Sequence, residues 1–123
     1  MKKALALVHI GAKKPTPHIQ ETNITEIANH YGIQVVRIIQ ADSLSAALDQ
    51  WKNIGVPNLI VHEIGRWFPP GEDFKTVLKL LNDIGINAVY FAGGFFDLSQ
   101  PKGVLMFIRV CGLRNHRAPQ CDE

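Results

Sequence analysis

A chain of 123 residues, 46% hydrophobic and 20% charged, is the right size for one domain with its own core. A net charge of +2 is too small for a mainly disordered chain or a dedicated nucleic-acid binder. Two cysteines cannot build a disulfide scaffold or a four-ligand zinc site, and no apolar run approaches the ~18 residues of a membrane-spanning helix.

The chain opens with Met1-Lys2-Lys3 and an apolar stretch, as a signal peptide does. His9 and Lys13-Lys14 cut that stretch to about seven residues, and no small-residue cleavage site follows. The stretch therefore reads as a buried strand, Ala4–His9, in a cytoplasmic protein. A first helix ends near His30, with Ile24, Ile27, Ala28 and Tyr31 on one face. Asn23 with Glu26 is a candidate capping pair for it, and Thr16-Pro17 is an earlier candidate start.

Three phrases then repeat one grammar. Tyr31-Gly32-Ile33, Ile54-Gly55-Val56 and Ile84-Gly85-Ile86 each end a helical segment at glycine and lead into an apolar run. Those runs predict strands at Gln34–Ile39, Leu59–His62 and Ala88–Phe91. Between them lie a second helix running to about Asn53, with Ser43 or Ser45 as its cap, and a third over Asp73–Asp83. Leu44, Leu48 and Trp51 make the stripe of one; Phe74, Val77, Leu78 and Leu81 make that of the other. Helix, glycine and strand in alternation specify a parallel α/β sheet, and continuous apolar strands specify cover on both faces. Gly93-Gly94-Phe95-Phe96 follows as a turn whose two phenylalanines plug the core. The segment from Val104 to Leu113 is apolar on almost every side and fits either a fifth strand or a helix. As a helix it needs burial on two sides, one being a second subunit, so Val104, Phe107, Ile108 and Cys111 are the expected dimer interface.

Ligands of open parallel sheets bind beyond the carboxyl ends of the strands. Those ends carry His9, Asp42, His62, Glu63 and Arg66, a set with acid–base or metal-binding capacity. Gly11-Ala12-Lys13-Lys14 lacks the spacing of a phosphate-binding loop and reads as a solvated basic loop. His9, His62 and Glu63 have no metal-motif spacing, so no metal and no cofactor are expected. Ser43 and Ser45 read as caps, not nucleophiles. Trp67-Phe68-Pro69-Pro70-Gly71 is either a partner surface or a cover on the sheet edge. Lys13, Lys14, Arg109, Arg114 and Arg117 supply a weak case for contact with nucleic-acid phosphates.

The order of pieces resembles the N-terminal catalytic domain of serine recombinases, the resolvase/invertase family. Ala6-Leu7-Val8-His9-Ile10-Gly11 stands in the place of its opening strand, G-Y-x-R-V-S. Ile38-Ile39-Gln40-Ala41-Asp42-Ser43-Leu44-Ser45 stands in its strand-to-serine stretch, and Val61-His62-Glu63-Ile64-Gly65-Arg66 in its L-D-R-L-x-R. Leu80 to Ile86 matches the end of its third helix, and Gly103 to Ile108 the start of its dimerisation helix. The resemblance implies a three-layer α/β sandwich over residues 1–113, a four- to five-stranded mostly parallel sheet with helices on both faces. Residues 114–123 are then a basic and polar tail, and no DNA-binding domain is expected. The departures bear on activity. The nucleophilic serine of the family falls on Gly11, its first arginine on His9 and its Asp-Arg pair on His62-Glu63. Only Arg66 keeps its type. Glycine has no oxygen to attack a phosphodiester, and a glutamate repels the phosphate that an arginine would attract. What the resemblance implies is an inactive resolvase-like domain acting through association with itself, a recombinase or another partner, in a mobile element or virus. The competing expectation is a small-ligand or metal enzyme built on His9, Asp42, His62, Glu63 and Arg66.

Overall fold

Each helix between parallel strands here carries the chain back to the same end of the sheet, so the next strand runs parallel to the last. The computed structural model describes residues 2–10, 16–51, 54–63, 67 and 74–109, the side chains of 74–76 excepted. In chain order the elements are β1 (Lys2–His9), α1 (Pro17–Tyr31), β2 (Ile33–Ala41), α2 (Leu44–Trp51), β3 (Asn58–Val61), α3 (Phe74–Ile84), β4 (Ala88–Phe91) and β5 (Gly94–Asp97). A helix over residues 101–109, α4, follows. The sheet order is β2-β1-β3-β4-β5. β1 pairs parallel with β2 and β3, and β3 with β4, while β4 and β5 pair antiparallel. The strand order reverses direction between β1 and β3, the switch point where open α/β sheets hold their ligands.

The caps show why the helices stand where they do. Thr16 caps α1, accepting from the Ile19 backbone N–H, with Pro17 in the first turn. Asn23 is therefore inside the helix and caps nothing, which corrects one of the two expected starts. Ser43 caps α2 by accepting from the Ala46 N–H at 3.2 Å. Gly32, Gly55 and Gly85, the three punctuating glycines, have φ of 65°, 71° and 90°. At Gly32 the left-handed backbone turns its N–H onto the Ala28 and Asn29 carbonyls and closes α1.

The strands alternate between two cores. Leu5, Leu7, Leu59, Val61 and Val89 face α2, α3 and α4, where Leu48, Trp51, Val77, Leu81 and Phe107 meet them. Ala4, Ala6, Val8, Ile60 and Tyr90 face α1, where Ile24, Ile27 and Ala28 close the layer. The alanines of β1 let α1 sit close to the sheet. Cover is complete over β1 and β3 but not over the edge: Val36 and Ile38 of β2 are exposed. The expectation of two covered faces thus fails at β2, where an extra residue between the partners of Ala4 and Leu5 breaks the register.

The C-terminal part differs most from expectation. Gly93-Gly94 begins a hairpin, not a plain turn, and the fifth strand is β5 in place of the later apolar segment. Phe96 enters the core, but Phe95, one residue before it, points to the opposite face and is 49% exposed. The later apolar segment is helical over 101–109. Gly103 makes its approach to the sheet possible: a Cβ there would lie 1.9 Å from the Asp97 carbonyl oxygen.

Candidate functional site

The expected strand-end cluster is divided by the sheet itself. His9 ends β1 on the face of Leu5 and Leu7, and its ring meets Trp67 edge-on at 5.1 Å. His62 follows β3 on the opposite face, where its Nδ1 lies 3.0 Å from Asn23 Nδ2 of α1. Alternation of side chains along each strand sends the two imidazoles apart, although their strands are adjacent. Asp42 is exposed just past Ala41, the residue paired with His9. Glu63 is half-buried beside His62 in sequence. Gly11 and Arg66 lie outside the described residues, as do Lys13, Lys14, Phe68, Cys111, Arg114 and Arg117. Arg109 is exposed on α4. The convergence of His9 with His62 expected from their strand ends is corrected here. Among the described residues no group of three His, Cys, Asp or Glu side chains is placed to hold a metal ion.

His9 is held as a packed residue. The buried Gln20 of α1 grips its main chain from both sides: the His9 N–H donates to Gln20 Oε1, and Gln20 Nε2 donates to the His9 carbonyl, each at 2.8 Å. This pins the tip of β1 to α1. The His9 Nδ1 is buried and has no hydrogen-bond partner among the described residues. Trp67 is itself buried and packs in the core that contains Trp51, so of the two expectations for the Trp67 loop, Trp67 serves as cover. Gln20 escaped the sequence reading, although it continues the buried stripe of Ile24, Ile27 and Ala28 one turn earlier.

On the α1 side, the Asn23–His62 contact borders a groove of about 540 Å³ between α1 and the β4–β5 turn. Asn23, Glu26, Ile27, His30 and Tyr31 form one wall; Phe91 and the main chain of 92–94 form the other. The Asn23 amide and the His62 ring thus share one hydrogen bond across the layer, and the tautomer of His62 sets its direction.

The C-terminal helix divides the expected interface residues. Phe107 is fully buried in the chain's own core, edge-on to Phe96 at 5.4 Å. It is thus unavailable to a partner, a correction that follows from α4 lying on the sheet. Val104 and Ile108 are half-buried. The exposed apolar side chains of α4 are Leu105 and Met106, 65% and 51% exposed.

The fold is that of a serine recombinase catalytic domain. The N-terminal catalytic domain of TP901-1 integrase is similar over 99% of this chain and 100% of that one, with a TM-score of 0.61 and 15% identity. The C-terminal catalytic domain of ISC1926 TnpA, an IS607-like serine recombinase, is similar over 72% of this chain and 67% of that one, with a TM-score of 0.53 and 16% identity. No protein-family model matches the chain. No curated protein matches it either. In this recombinase-like fold, none of the helices among the described residues is long and apolar enough to cross a membrane.

Proposed function

We propose that this chain is a recombinase-like domain without strand-cleaving activity that works by associating with a second copy, a recombinase or another protein, in the setting of a mobile element or virus. The observation that carries the reading is the chemistry at the end of β1. A glycine, Gly11, stands in the sequence where the resembled family has its attacking serine. Two residues before it, in the place of an arginine, His9 is packed against Trp67 with its Nδ1 buried. An imidazole held this way has no fork of donors to offer a phosphate. The place of the Asp-Arg pair supports the same reading, since His62 bonds to Asn23 on the other face and Glu63 carries the wrong sign for a phosphodiester.

Association is assigned to α4. Leu105 and Met106 present adjacent apolar side chains to solvent, while Phe107 anchors the helix from below. Val104 and Ile108, both half-buried, flank that pair at the rim of the surface. Two measurements test the proposal. Incubation of the intact chain with supercoiled plasmid is expected to leave the plasmid uncut. Nicking that disappears on Ser43→Ala or Ser45→Ala would overturn the inactive reading. The solution mass is expected to be that of a dimer, falling to a monomer in Leu105→Asp/Met106→Asp with an unchanged far-ultraviolet spectrum. A monomeric parent that retains no recombinase on a column would overturn the association reading.

A further inference from the structure

We draw no further inference here: the strongest candidate, the open edge of the sheet at β2 with Val36 and Ile38 exposed along it, carries none because nothing among the described residues shows what covers it.

Discussion

The two faces of the sheet are built from different stock. The face under α2, α3 and α4 holds large side chains, Trp51, Trp67, Phe96 and Phe107 among them, sealed by three helices. The face under α1 holds Ala4, Ala6 and Val8 beneath a single helix. One helix cannot span five strands, so this thinner face leaves Ile38 of β2 43% exposed at one side and the Phe95 ring open at the other. It also carries polar contacts between helix and sheet, Gln20 on His9 and Asn23 on His62. The thick face supplies stability. The thin one supplies accessible groups with direction, which is where a ligand finds something to recognise.

That contrast breaks if the thick face tolerates truncation. Phe107→Ala is expected to cost about 3–5 kcal/mol in a denaturant melt, since it empties a fully buried site. Leu105→Ala, its exposed neighbour, is expected to stay within about 0.5 kcal/mol in the separated monomer. Gly103→Ala forces α4 off the Asp97 carbonyl and is expected to cost about 3 kcal/mol, read in the same melt. On the thin face, Gln20→Ala leaves the His9 N–H and carbonyl without their partners; a loss of about 2 kcal/mol is expected, with faster hydrogen exchange at the His9 amide. Asn23→Ala removes one half-buried side-chain bond and is expected to cost about 1 kcal/mol, with the His62 ring resonances moving as its Nδ1 loses its partner. If Asn23→Ala cost as much as Phe107→Ala, the division into a stabilising face and a recognising face would be wrong.

Much of the candidate site could be placed along the chain but not in space. His9, Asp42, His62 and Glu63 do stand at or just past strand ends, as the apolar runs indicated. Their grouping did not follow, because two imidazoles on adjacent strands point to opposite layers when their positions differ by an odd step in register: Leu7 lies opposite Val61, so Val8 and not His9 is level with His62. Asn23 resembled a cap because Glu26 follows it at capping distance. Thr16 and Pro17 had already started the helix, which turned Asn23 inward to His62 instead.

What the sequence determined by itself was local: the order of strands and helices, their glycine stops at Gly32, Gly55 and Gly85, the apolar stripe of α1, and the strand at Ala88–Phe91, whose bounds the structure reproduces. These depend on backbone conformations and on periods of two and 3.6, which neighbouring residues fix among themselves. Tertiary structure decided which strand lay at the rim, which layer each histidine entered, and that Phe107 turned inward while Leu105 and Met106 faced water. It also turned Gly94–Asp97 into a strand, because β4 offered an open edge to pair with. Those outcomes rest on pairing between distant segments and on the handedness of the crossovers, and no window of sequence contains either.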